Sequence, residues 1–255
     1  MHDLDLAITA ARAAAALHRS GLGSDLAVRT KSTDIDLVTR IDTAAEQAIR
    51  DLLAEHRPGD AVLGEEEGQT GQAGRRWIVD PLDGTLNYAH GFPYYCVSVA
   101  LEVDGVVEVG VVLDSAHGEL FAATRGGGAT VDGVPMAVSG EDRIRRAMLA
   151  TGFAYSGDGM AENLEYFARV LPQAGALRRP GAAALDLANL AAGRLDGFWE
   201  LHLNPWDVAA GLLLVREAGG RTSDERGEPY RLGQRFVVAS NGRLHQPLLE
   251  ALGTI

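Results

Sequence analysis

The densest concentration of potential chemistry lies in Trp77-Ile78-Val79-Asp80-Pro81-Leu82-Asp83-Gly84-Thr85-Leu86-Asn87. Its apolar start reads as a buried strand ending in Asp80. Pro81 fixes the backbone, Asp83 follows three residues after Asp80, Gly84 permits a close approach, and Thr85 opens a short helix. Two aspartates at the mouth of one strand repel each other. Hard cations with oxygen ligands remove that cost, and Mg²⁺ is the usual choice beside phosphate. The N–H groups of Gly84 and Thr85 at a helix start suit a phosphate oxygen. Upstream, the acidic run Gly64-Glu65-Glu66-Glu67-Gly68 follows the apolar Ala61–Leu63 and offers a further ligand. Farther upstream is the stretch from Lys31 through Asp36-Leu37-Val38-Thr39 to Asp42. Far downstream, Asn204-Pro205-Trp206-Asp207 puts a carboxylate in the first turn of a helix, where it can reach a cation or simply complement the helix dipole.

Each of these residues also has a plain structural reading. Asp80 and Asp83 suit turns around Pro81, Glu65–Glu67 suits a solvated loop, and Asp42 suits the surface of a helix. Thr85 suits a cap. Lys31 is either a phosphate-neutralising or an exposed lysine, and Glu200 is a charge at a strand end. The seven histidines show no metalloprotease-like spacing and read as structural or surface residues. Cys96 reads as a small core residue, and Gly126–Gly128 as a turn, since no lysine and serine follow. Trp77 and Trp206 flank the acidic segments and are expected to pack beneath them.

Positioning these groups requires alternating elements. The first twenty residues have alanine and leucine at helical spacing and end near Gly21 and Gly23. A second amphipathic helix spans Thr39 to Leu53. Short buried strands are expected at Ala61–Leu63 and Trp77–Val79, and longer ones at Cys96–Val103, Val106–Leu113 and Glu119–Thr124. Asp104-Gly105 makes a hairpin of the first two of these. Beyond residue 140 come a strand at Ala147–Ala150, helices at Ala161–Leu171 and Ala182–Ala192, and a strand at Leu195–Glu200. A helix at Trp206–Ala218 capped by Gly219-Gly220, a strand at Phe236–Ala239 and a helix at Leu244–Leu252 complete the chain. Interleaved helices and strands with antiparallel hairpins in the middle point to a mixed α/β (α+β) fold of stacked layers.

The chain has 255 residues, 46% apolar and 23% charged, an ordinary globular composition long enough for one large core. Its net charge of −12 argues against nucleic-acid partners, and would repel a small phosphate too unless bound cations reverse the local field. One cysteine excludes an internal disulfide and a thiolate metal cluster, which fits a reducing, cytoplasmic location. Asp3 and Asp5 stand where a signal peptide would be basic, and no apolar run is long enough for a membrane span, so no membrane association is expected.

Asp80-Pro81-Leu82-Asp83-Gly84-Thr85 with Asn87 resembles the first signature of the inositol monophosphatases. Trp206-Asp207-Val208-Ala209-Ala210-Gly211 with Glu217-Ala218-Gly219-Gly220 resembles the second. Gly64-Glu65-Glu66 and Asp36-Leu37-Val38-Thr39 through Asp42 match in order and spacing, so the likeness covers nearly the whole chain. The resemblance implies a layered α-β-α-β-α sandwich of the sugar-phosphatase type. It implies a single domain over residues 1–255 with halves of about 1–140 and 141–255, the metal site between them, and a homodimer. By the same likeness Glu65, Asp80 and the Leu82 carbonyl hold one Mg²⁺. Asp80, Asp83 and Asp207 hold a second, and a third ion shares Glu65. Thr85 with Asp42 takes a proton from the attacking water, which Glu65 helps orient. The implied reaction is in-line hydrolysis of a small phosphomonoester by metal-activated water, without a phosphoenzyme, and it implies lithium sensitivity. Asp83, Gly84 and Thr85 would meet the phosphate, and Gly181, Ala183 and Glu200 the rest of the substrate. Myo-inositol 1-phosphate leads the expectation. Histidinol phosphate, fructose 1,6-bisphosphate and 3′-nucleotides are the enzymatic alternatives. A non-catalytic regulator, for instance of transcription complexes, is the alternative of another class; a lost metal ligand would mark it, and every ligand position is intact.

Overall fold

The computed structural model of the chain describes residues 1–30, 37–72, 74–153 and 157–254. Lys31 and Asp36 lie outside the described residues. A two-stranded ribbon, β1 (Arg29–Thr30) and β2 (Leu37–Val38), precedes the main sheets. The larger sheet has eight strands: β3 (Ala61–Gly64), β4 (Gly68–Thr70), β5 (Arg75–Asp83), β6 (Cys96–Val103), β7 (Val106–Asp114), β8 (Leu120–Thr124), β9 (Gly128–Val131) and β10 (Val134–Pro135). They run in the order β10-β9-β8-β7-β6-β5-β3-β4. The smaller sheet has the order β12-β11-β13-β15-β14, from β11 (Met148–Thr151), β12 (Ala176–Arg178), β13 (Gly197–Leu201), β14 (Arg221–Ser223) and β15 (Phe236–Ser240).

Helices α1 (Asp3–Gly21) and α2 (Arg40–His56) cover the outer face of the large sheet, and the short α3 (Thr85–Ala89) follows β5 directly. Helices α5 (Ala183–Ala191) and α6 (Pro205–Glu217) lie between the two sheets. Helices α4 (Gly157–Val170) and α7 (His245–Leu252) cover the far face of the small one. The result is the α-β-α-β-α stack. Period-two alternation explains it: in β6, Val97, Val99 and Leu101 face α1 and α2, while Cys96 and Ala100 face α5 and α6. The middle helices have apolar neighbours on both sides, and α6 is buried from Val208 through Val215. On α1, Leu6, Ala7, Ala10, Ala11, Ala14 and Ala15 form one buried stripe, small enough to let the helix lie close to the sheet.

Most expected elements occur within a few residues of their expected ends. Asp104 and Gly105 both adopt positive φ, 50° and 82°, as a two-residue hairpin turn requires. The Gly126–Gly128 turn is closed by the Glu217 carboxylate, which accepts N–H bonds from Gly126 and Gly128 at 2.8 and 2.9 Å. Two expectations fail. β5 does not end at Asp80 but continues to Asp83, because Pro81 sits within an irregularity of the pairing where no ladder N–H is needed. Trp77 does not pack beneath the acidic segment; it lies in the core under α1 and α2 and donates its indole N–H to Asp60 at 2.9 Å. Trp206 does line the acidic pocket.

Candidate active site

The pairing of β5 with β6 brings its two aspartates together. Asp80 pairs with Ser98 and Asp83 with Cys96, so three steps along β5 match two along β6. In a regular strand residues three apart face opposite sides. The extra residue of this bulge cancels that alternation and sets both carboxyls at the same mouth. His18 of α1 supports the bulge through a 2.9 Å contact of Nε2 with the Pro81 carbonyl, and Tyr88 donates to the His18 carbonyl at 2.7 Å. Burial holds His18 neutral, with its pKa lowered to about 4.

Asp80 is 2% exposed, and its Oδ1 accepts the Leu82 N–H at 3.0 Å. Burial, then the charges of Glu65, Asp83 and Asp207, push its carboxyl well above the usual range, and it hydrogen-bonds Glu65. Two carboxyls can share such a bond only when one carries a proton. Asp83 lines the cavity wall and is raised to about 7 by burial. The Ala184 N–H, in the first turn of α5, donates to it at 2.7 Å, and the Cys96 thiol lies 3.6 Å away. Asp207 is in the first turn of α6, where its Oδ2 accepts the Asn204 N–H at 2.7 Å. Gly84 takes φ 92°, and a Cβ there would stand 2.9 Å from the Tyr94 carbonyl, so glycine is required at the turn into α3.

Thr85 donates towards Asp42 Oδ1 at 2.7 Å and also contacts the Leu82 carbonyl at 3.0 Å. Asp42 is fully buried, which raises its pKa, and its Oδ2 accepts the N–H and hydroxyl of Thr39, the N-cap of α2, at 2.8 and 2.6 Å. The surface reading of Asp42 is therefore excluded.

A cavity of about 380 Å³ is lined by Glu65, Asp83, Gly181, Ala183, Glu200 and Asp207 among others, whereas Asp42, Asp80, Leu82, Gly84 and Thr85 do not line it. Glu200 is 8% exposed, and burial raises its pKa, with the charges of Asp186, Asp207 and Asp83 adding to the effect. It is not a solvated strand end. Two charged lining residues escaped the sequence reading. Asp186 is buried on α5 and accepts the Tyr94 hydroxyl at 2.6 Å, and Arg179 borders the same cavity. The single charged residue in the run 182–192 was the available signal for Asp186.

Among the described residues, no group of three or more histidine, cysteine, aspartate or glutamate side chains is arranged so that it could hold a metal ion. What converges is a set of carboxyls within hydrogen-bonding and mutual-repulsion range of one another. Oxygen donors, several negative charges and low exposure suit a hard divalent cation, and Mg²⁺ fits this donor set.

The sequence profile of the inositol monophosphatase family matches residues 2–255. The inositol-1-monophosphatase of Synechocystis is 40% identical over 98% of this chain and 88% of its own length. The Nus factor SuhB of Pseudomonas aeruginosa is 42% identical over 98% and 95%. Among solved structures, the extragenic suppressor protein SuhB of Bartonella henselae superposes with a TM-score of 0.93 at 38% identity, covering 97% of both chains. The inositol monophosphatase of Anabaena gives 0.89 at 38%, covering 99% and 95%. Family-wide sequence match and fold agree: this chain belongs to the inositol monophosphatase family and is a phosphoric monoester hydrolase.

Proposed function

We propose that the chain hydrolyses a small polyol or sugar phosphomonoester, myo-inositol 1-phosphate first, in the acidic cavity between its two halves, about residues 1–140 and 141–255 of one domain. The observation that carries this reading is Asp80, buried among Glu65, Asp83 and Asp207, whose charges all oppose its ionisation. Glu65, Asp80, Asp83, Asp207 and the Leu82 carbonyl would hold two or three Mg²⁺. When bound, Mg²⁺ supplies the positive charge that keeps these carboxylates ionised, draws in the phosphate and makes water a nucleophile near neutral pH.

The protein's own groups do the rest. The Thr85 hydroxyl, bonded to Asp42, passes a proton from the incoming water towards a buried carboxylate whose raised pKa makes it the better acceptor. Glu65 orients that water. The Gly84 and Thr85 amides and the wall around Asp83 fix the phosphate. Glu200 accepts hydroxyl hydrogen bonds from the organic part of the substrate, while Gly181 and Ala183 leave room for it. Glu200 also suits an amine, which keeps histidinol phosphate in the panel.

The test is phosphate release in Mg²⁺ from inositol 1-phosphate, histidinol phosphate, fructose 1,6-bisphosphate and a 3′-nucleotide. Inositol 1-phosphate is expected to have the highest kcat/KM, and Li⁺ to inhibit. Release from none of them would favour a binding role instead. We also propose a homodimer, checked by sedimentation. No described helix is long and apolar enough to cross a membrane.

A further inference from the structure

We infer that Glu46 and Arg50 on α2 form a clamp that sets the position of Glu65, making them positioning residues for the acidic site. This rests on the proposed role of Glu65 as a metal ligand. Glu65 lies in the tight turn between β3 and β4, with Glu66 and Glu67. A turn of three glutamates has every electrostatic reason to spread into solvent. Instead the fully buried Glu46 carboxylate accepts the Glu66 N–H at 2.8 Å and the Glu67 N–H at 3.0 Å. Arg50, one helical turn on, donates to Glu46 at 2.8 Å, to the Gly68 carbonyl at 2.6 Å and to the Thr70 hydroxyl at 3.0 Å.

The clamp thus grips the turn's backbone at Glu66, Glu67 and Gly68, immediately after Glu65. A carboxylate with two backbone donors and a guanidinium fork makes strong, directional bonds, whereas lysine could supply the charge but not the fork. Gly64 is part of the device. A Cβ there would stand 2.3 Å from the Glu46 carboxylate, so only glycine lets that carboxylate reach the amides. Asp42, Glu46 and Arg50 recur at four-residue intervals on one face of α2. Asp42 holds Thr85, and the other two hold the Glu65 turn. One rigid helix therefore fixes the spacing between the proton-accepting group and the ligand loop.

The test uses the full chain and three variants: Glu46→Gln, the neutral pair Glu46→Gln/Arg50→Met, and Gly64→Ala. Two quantities are measured: amide hydrogen exchange at Glu66 and Glu67, and Mg²⁺ affinity by calorimetry. In the wild type both amides are expected to be protected. In the variants exchange should rise at least about 10-fold and Mg²⁺ affinity fall about 10-fold, as is usual when partners of ligand loops are lost. The melting temperature without Mg²⁺ is expected to change little in the neutral pair, since neutralising both partners avoids a stranded charge. Unprotected amides in the wild type would refute the clamp even if no variant folds. Faster exchange with unchanged Mg²⁺ affinity would refute its positioning role. If the wild type binds no Mg²⁺, the metal reading of Glu65 fails and the positioning role fails with it, while amide exchange still decides whether the clamp exists.

Discussion

Two groups of buried carboxylates lie within one loop of each other and have opposite characters. Glu46 is fully buried, yet a guanidinium and two backbone amides surround it. Asp80 is almost as deeply buried, yet Glu65, Asp83 and Asp207 crowd it with like charge. The first group is compensated within the fold. The second holds like charges together, which the proposed Mg²⁺ would offset. Burial of an acid therefore does not identify a reactive site, whereas burial among like charges does.

The comparison breaks most visibly if the two groups respond alike to neutral substitution. Asp80→Asn, which can keep the bond to the Leu82 N–H, is expected to lower Mg²⁺-dependent turnover at least ~10²-fold. In EDTA the same variant should melt no lower than the wild type, because a repelled charge has gone. Near-normal turnover would contradict the assignment. Glu46→Ala should do the reverse in stability, stranding Arg50 and costing about 3 kcal/mol in denaturant unfolding. A loss below about 1 kcal/mol would mean that the pair is not the compensated one described.

Glu200→Ala sharpens the distinction between metal and substrate carboxylates. It should change the ratio of kcat/KM between inositol 1-phosphate and histidinol phosphate about 10-fold, with a smaller change in turnover of a generic phosphate ester. An unchanged ratio would remove Glu200 from substrate recognition. The smallest effect is in pH dependence. Asp83 has a folded pKa of about 7 against an ordinary value of 3.8, so the folded state binds more protons between these values. Its contribution to metal-free stability is therefore lost as pH rises through that window. Asp83→Asn should lack this loss, so its melting temperature in EDTA should gain on the wild type from pH 4 to pH 7. His18, buried neutral with a pKa near 4, acts oppositely: it destabilises the fold as pH falls below about 6.5, equally in both proteins. Parallel melting curves against pH would show that Asp83 is already compensated.

The two groups also differed in how far the sequence reveals them. Asp80, Asp83 and Thr85 share a six-residue segment whose glycine, proline and apolar lead-in announce a strand mouth. Asp207 follows a proline that marks a helix start. Alternation and helical periodicity also pointed to stacked helix and sheet layers, while the order of those layers came from the family resemblance. Glu46 and Arg50 were invisible for a physical reason: four-residue spacing of acid and base on a helix is what a solvated face looks like. Only the docking of the β3–β4 turn buries them. The bulge was equally hidden, because Pro81 looked like a strand end until its pairing with β6 was known. Short strands such as β12 and β14, three residues each, exist through their neighbours and carry little periodicity of their own.

The most direct test of the central claim is a crystal of the wild-type chain soaked in Mn²⁺, with anomalous scattering used to locate the ions. The uncompensated group predicts peaks among Glu65, Asp80, Asp83 and Asp207, and none beside Glu46. A map without density in that cavity, or with those four side chains turned apart, would contradict it.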